Sequence, residues 1–261
     1  MGEVVGGYPH GTFCWADLGT PEVARAKAFY GGLFGWELED LPADGGSETI
    51  CRLGGRDVAG IHRRDAAEGV GWTSAIAVDG LERTTARAGE LGATVVAGPA
   101  QVGHAGRRAV LADPTGAVVS LWQAGSHAGA ALVNEVGTWT WSELVTADLD
   151  GAAAFYAALL GWQAERLPGP LQRCSFSLGD LLVGGAHAPT PQEGDQARWT
   201  VSFRVADADQ SLARARELGG TVLLPPMDIP IGRFAILADP AGAPFTVTAF
   251  PGGARRGVDG S

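Results

Sequence analysis

The sequence predicts an α+β fold assembled as a tandem repeat of two domains, and three observations carry that prediction. First, residues 28–36 (AFYGGLFGW) return at 154–162 (AFYAALLGW) and residues 111–117 (LADPTGA) return at 237–243 (LADPAGA), both displaced by 126 positions. Solenoid and propeller repeats run at roughly 20 to 50 residues, so a period this long is a whole small domain. Second, each half opens with strand-like alternation that gives way to helical spacing. Third, forty glycines imply many tight turns and bulges, and hence a β-rich chain.

The elements follow in order. Thr12 to Leu18 and Thr138 to Leu144 alternate with a period of two, which puts Phe13, Trp15 and Asp17 on one strand face and Trp139, Trp141 and Glu143 on its counterpart. In the helix after the first strand, Thr20 is the expected cap, Pro21 suits the first turn, Val23, Ala26, Tyr30 and Leu33 recur at helical spacing, and Gly35 ends the run. Asp148, Ala152, Phe155, Leu159 and Gly161 repeat the scheme. Short strand-like segments at 49–53 and 57–61 match 173–178 and 181–186. A second strand and helix unit then begins in each half: 72–78 leads to a helix near 81–91 ended by Gly92, and 199–205 to one near 208–218 ended by Gly219. Strands near Thr94, Ala109 and Val118 close the first half, with counterparts near Thr221, Ala235 and Phe245. The expected organisation is a first domain over 11–123, a Gly- and Ala-rich linker over 124–136, a second domain over 137–250 and a flexible tail over 251–261.

Composition narrows the partners. A net charge of −10 and a pI near 4.9 argue against nucleic acid or an anionic membrane surface, both of which need a basic patch. Arg63-Arg64, Arg107-Arg108 and Arg255-Arg256 are isolated doublets. Three cysteines without CxxC spacing fit a reducing compartment. The N-terminus lacks the features of a secretory signal and no apolar run approaches a membrane span, so a cytoplasmic protein is expected.

The strand ending in Asp17-Leu18, the helix carrying Phe29-Tyr30 and ending in Leu33-Phe34-Gly35-Trp36, the second helix ending in Glu90-Leu91-Gly92-Ala93, and the closing Asp113-Pro114-Thr115-Gly116 together resemble the vicinal oxygen chelate superfamily, which includes glyoxalase I, bleomycin-resistance proteins and extradiol dioxygenases. The resemblance covers 11–123 and 137–250. It implies two βαβββ modules per domain, forming a curved eight-stranded cup with helices outside. It also implies, for metal-dependent members, His or Glu on the first strand of a module and Glu on the last. The corresponding positions here are Trp15 and Trp141, Thr73 and Thr200, and Ser120 and Thr246. None is a strong metal ligand, so no metal site and no cofactor is expected in either half.

In both halves an aromatic side chain stands where the resemblance places the metal, and an acid follows two residues on. The expected ligand-lining set is Phe13, Trp15, Trp122, Trp139 and Trp141 with Thr73, Thr200, Ser120 and Thr246; the paired Trp36/Trp162 and Trp72/Trp199 read as core. Trp offers a rigid face for stacking and one donor. Asp17 and Glu143 read either as acid–base groups or counter-ions for a ligand amine, or as structural acceptors for backbone or for the repeated arginines Arg107 and Arg233. His62 and His187 read either as freely titrating residues at the mouth or as proton donors to a ligand. His10, His104 and His127 have no counterparts and read as loop residues. No Ser-His-Asp set or phosphate-cradling loop stands in the required context.

These features point to metal-independent binding of a hydrophobic, aromatic small molecule such as an antibiotic or secondary metabolite, for sequestration or metabolite handling. The alternatives are a metal-free enzyme of the same fold (cyclase, isomerase, lyase or hydroxylase-associated), with Asp17 or Glu143 as base and His62 or His187 as acid, and a protein whose cups are vestigial. The two joined domains suit a monomer that is its own pseudo-dimer, or a homodimer.

Overall fold

The computed structural model describes residues 2–4, 6–43, 46–191 and 193–251. The first half runs β1 (Phe13–Thr20), α1 (Val23–Phe34), β2 (Glu37–Ala43), β3 (Gly46–Leu53), β4 (Arg56–Arg63), β5 (Gly71–Ala77), α2 (Leu81–Glu90), β6 (Thr94–Val102), β7 (Gly106–Ala112) and β8 (Val118–Ala124). The second repeats it as β9 (Trp139–Val145), α3 (Leu149–Leu160), β10 (Gln163–Leu167), β11 (Arg173–Leu178), β12 (Leu181–His187), β13 (Arg198–Arg204), α4 (Ala208–Glu217), β14 (Thr221–Ile229), β15 (Gly232–Ala238) and β16 (Pro244–Ala249). Each half forms one eight-stranded curved sheet, ordered β2-β3-β4-β1-β5-β8-β7-β6 and β10-β11-β12-β9-β13-β16-β15-β14. The two modules of a half meet where β1 pairs antiparallel with β5, and β9 with β13.

The residue pattern alone misses β2 and β10. Every residue of β10 is exposed, so no hydrophobic alternation marks it. Gly35 and Gly161 end α1 and α3 in the left-handed conformation (φ 72° and 76°), which a side chain would strain. Asp148 caps α3, its Oδ1 accepting from the Gly151 N–H at 2.8 Å. The expected Thr20 cap is displaced: α1 starts after Glu22, and Thr20 Oγ1 accepts from the Glu22 N–H instead.

The repeated motifs hold the two halves together. Tyr156 donates to Asp113 Oδ2 at 2.8 Å and Tyr30 to Asp239 Oδ2 at 3.3 Å, each crossing between domains. Trp199 and Trp72 donate to those same tyrosine hydroxyls. Trp36 Nε1 donates to the Gly137 carbonyl and Trp162 Nε1 to the Gly11 carbonyl, both at 2.7 Å. The Asp-Pro-x-Gly aspartate also closes its own turn, Asp113 Oδ1 accepting from the N–H groups of Thr115 and Ala117. Burying these polar groups is tolerable because each is paired. Ser74 of β5 and Ser142 of β9, 2.8 Å apart and buried, mark where the backs of the two sheets meet.

The segment expected to be the linker, 124–136, packs against the domains. Ala130, Leu132 and Val133 are buried, the Ala130 N–H donates to the Cys14 carbonyl, and Tyr8 donates to the Ala130 carbonyl. The tail expected at 251–261 lies, beyond Pro251, outside the described residues. Among the described residues no helix is long and apolar enough to cross a membrane.

Candidate functional site

Strand register decides what faces each cup. Asp17 pairs with Gly60 on β4 and Thr73 on β5, and Trp15 with Ala75, which in turn pairs with Ser120 on β8. Side chains directly opposite one another share a face. Asp17, Trp15, Thr73, Ser120 and Trp122 therefore line the first cup. Phe13 does not. A bulge at Cys14 sets Phe13 opposite Ile76 while Trp15 sits opposite Ala75, so Phe13 turns to the other face of the sheet. There it packs edge-on against Trp139 and Trp199 and at a tilt against Trp162 of the second half. The same irregularity puts Trp139 opposite Phe203 and Trp141 opposite Ser202, and removes Trp139 from the second cup. The expected sharing of one face by Phe13, Trp15 and Asp17, and by Trp139, Trp141 and Glu143, fails at the first residue of each set.

In the first cup Asp17 is 7 % exposed. Its Oδ2 lies 2.8 Å from His62 Nδ1 and 3.5 Å from Arg108 Nη1, while Oδ1 has no hydrogen-bond partner. Burial opposes its ionisation, but His62, Arg108 and Arg64 outweigh that and hold the carboxyl below the usual range. Glu48, opposite His62 on β3, is pushed up by burial and by the Asp17 charge. Gly60 makes this packing possible: a Cβ there would stand 2.5 Å from Asp17 Oδ1. The arginine beside Asp17 is Arg108, not the expected Arg107. Arg107, one residue along β7, faces the other way and pairs with Glu82 on α2. Arg233 likewise points outward, to Asp209 at 2.6 Å and Asp228 at 3.0 Å.

His127 lies in a loop, as expected, and packs against the aromatic side of this cup. Its ring lies 4.6 Å from that of Trp15 and 6.0 Å from that of Trp122, whose Nε1 donates to the His127 carbonyl. Trp15 and Trp122 are each only 8 % exposed. Burial lowers the His127 pKa against the opposing charges of Asp57 and Asp17.

The second cup is built differently. Trp141 is partly exposed and its Nε1 donates to Glu143 Oε2. Glu143 Oε1 lies 3.3 Å from His187 Nδ1, and His187 Nε2 lies 3.1 Å from Glu193, which also accepts from Thr190. Burial works against the charge on His187, yet the two carboxylates raise its pKa to about 9; burial likewise opposes ionisation of Glu193, which His187 and Thr190 nevertheless bring down to about 2. Both ring nitrogens of His187 are thus occupied by carboxylates. Thr200 Oγ1 donates to the Glu143 carbonyl, Ser202 pairs in register with Thr246, and Ser202 and Thr248 hydroxyls sit 2.9 Å apart. Where the first cup has Arg108 opposite Trp122, the second has Phe234 opposite Thr248.

The donors do not suit a metal ion. Trp, Thr and Ser stand at the positions the resemblance assigns to ligands, and among the described residues no three His, Cys, Asp or Glu side chains converge as a ligand set. Arg64, Arg108, Glu48, His127 and Glu193 were not predicted. Arg64, Arg108, Glu48 and His127 lack a like residue in the other half, so comparison of the halves passes over them, whereas Glu193 follows His187 by the same six residues that separate Glu68 from His62.

The architecture defines the class, and comparison agrees: the glyoxalase-like domain model matches residues 15–122 and again 140–248, and the chain belongs to that family. The CFP32 protein of Mycobacterium bovis is 42% identical over 250 residues, covering 92% of this chain and 95% of that protein. The anthracycline biosynthesis protein DnrV of Streptomyces peucetius is 35% identical over 254 residues, covering 91% and 92%. Among solved structures, the Mn(II)-bound glyoxalase of Novosphingobium aromaticivorans superposes with TM-score 0.62 at 16% identity, covering 94% of this chain and 86% of that one. The 2,2',3-trihydroxybiphenyl 1,2-dioxygenase of Sphingomonas wittichii superposes with TM-score 0.64, also at 16% identity, covering 91% and 90%. These two share the fold.

Proposed function

We propose that the protein binds a flat, hydrophobic small molecule of secondary metabolism in its second cup, against Trp141 and without a metal. The observation that carries this reading is the state of Trp141: it stands at the position the resemblance assigns to a metal ligand, is anchored through Nε1 to Glu143, and remains partly exposed while Trp15 is covered by His127. Phe234, half-buried and in register with Thr248, adds an apolar wall. The relationship to an anthracycline biosynthesis protein supports a polycyclic aromatic ligand. Stacking of a planar ring on an aromatic side chain contributes about 1–3 kcal/mol. Trp141→Ala should therefore weaken binding of a hydroxylated anthraquinone about tenfold or more, followed by tryptophan quenching or calorimetry, while Trp15→Ala leaves it unchanged. Equal affinity in the parent and Trp141→Ala removes the proposal.

A further inference from the structure

We propose that the first cup is a second, chemically distinct site, which takes a small aromatic acid bearing a hydroxyl group, its carboxylate held by Arg64 and Arg108 and its hydroxyl donated to Asp17 Oδ1. The inference does not depend on the second-cup reading. It begins with an atom that lacks a partner: Asp17 Oδ1 is buried on a side chain only 10 % exposed, lies over Gly60 on the cup face, and accepts nothing. A buried carboxylate oxygen without a donor is costly, and a ligand hydroxyl is the donor the site lacks.

Two guanidinium groups stand beside it. Arg64 is seated by an absence: a Cβ on Gly19 would collide with its guanidinium, and its Nη2 reaches Thr73 Oγ1 at 3.4 Å. Val145 occupies the Gly19 position in the second half, so the seat exists once. Arg108 approaches Asp17 Oδ2 at 3.5 Å and makes no hydrogen bond among the described residues, which leaves its fork of donors for another acceptor. Thr73 is one of the positions that the resemblance assigns to a metal ligand, so cationic charge is delivered there by side chains. Phe234 replaces Arg108 in the other half, which has no such pair. On the aromatic side the His127 ring packs against Trp15 and Trp122, at centroid distances of 4.6 Å and 6.0 Å, so the ligand proposed is no larger than a single ring.

Calorimetry on the full chain with the three hydroxybenzoate isomers, benzoate and benzamide tests this. At least one hydroxybenzoate should bind one per chain, about tenfold tighter than benzoate, and benzamide should not bind. Arg64→Gln and Arg108→Gln should each weaken binding about tenfold or more. Gly19→Val, which copies the second half and displaces Arg64, should do the same, and Trp141→Ala should have no effect. Unchanged thermal unfolding in the two glutamine variants, whose parent side chains are partly exposed, separates loss of binding from loss of fold. No heat from any hydroxybenzoate at about ten millimolar overturns the proposal, as does equal binding by Arg64→Gln, Arg108→Gln and the parent.

Discussion

Glu193→Gln removes one of the two carboxylates that face His187. The His187 pKa stands at about 9 against an ordinary 6.5, burial pulling it down while the hydrogen bonds and charges of Glu143 and Glu193 lift it further. A rise of about 2.5 corresponds to roughly 3 kcal/mol. With Glu143 still in place, Glu193 accounts for about half, on the order of 1–2 kcal/mol, and the His187 midpoint should fall by about one pH unit. The folded value lies above the unfolded one, so this stabilisation is full below about pH 6.5 and disappears as pH rises through about 9. Glu193, brought to about 2 from 4.5, contributes in the opposite sense: its share is present above about pH 4.5 and is lost as pH falls through about 2. Near pH 6 the variant should therefore be about 1–2 kcal/mol less stable than the parent in urea unfolding, and near pH 10, where His187 is neutral, the deficit should shrink. Proton–carbon NMR of the imidazole signals follows His187 directly. A parent midpoint near 6.5, or a deficit of the same size at both pH values, refutes the reasoning.

Two further perturbations probe what the repeat built. Tyr156→Phe leaves Asp113 Oδ2 and Trp199 Nε1 without their shared 2.8 Å partner in a fully buried setting and should cost about 2–4 kcal/mol. Tyr30→Phe, whose bond to Asp239 is 3.3 Å, should cost less, and denaturant unfolding of the two variants checks the order. Gly60→Ala places a methyl 2.5 Å from Asp17 Oδ1 and should destabilise by about 1–3 kcal/mol. In an Asp17→Ala background the loss should shrink, and a double-mutant cycle showing strict additivity would contradict the contact.

Much of the fold is legible in the chain because its determinants are local or repeated. The left-handed glycines at 35 and 161, the cap at Asp148 and the alternation of β1 and β9 act within a few residues of themselves. The repeat also exposes Trp15/Trp141 and Asp17/Glu143 as paired positions. What defeats sequence reasoning has two physical sources. A single extra residue in β1 and β9 reverses every face upstream of it, and no residue type marks the bulge, so Phe13 and Trp139 change sides. Arginines one residue apart point to opposite faces of β7, so Arg108 rather than Arg107 stands beside Asp17.

The chain by itself determined the duplication, the four strand-helix modules and the pair of cups, because hydrophobic period and turn chemistry are written in consecutive residues. Only the tertiary structure decided that the Phe-Tyr and Asp-Pro-x-Gly motifs lock the halves to each other, that the linker folds His127 over the first cup, and that the cups differ. The first outcome depends on contacts between residues distant in sequence and the other two on residues present in only one half, and no local pattern records them.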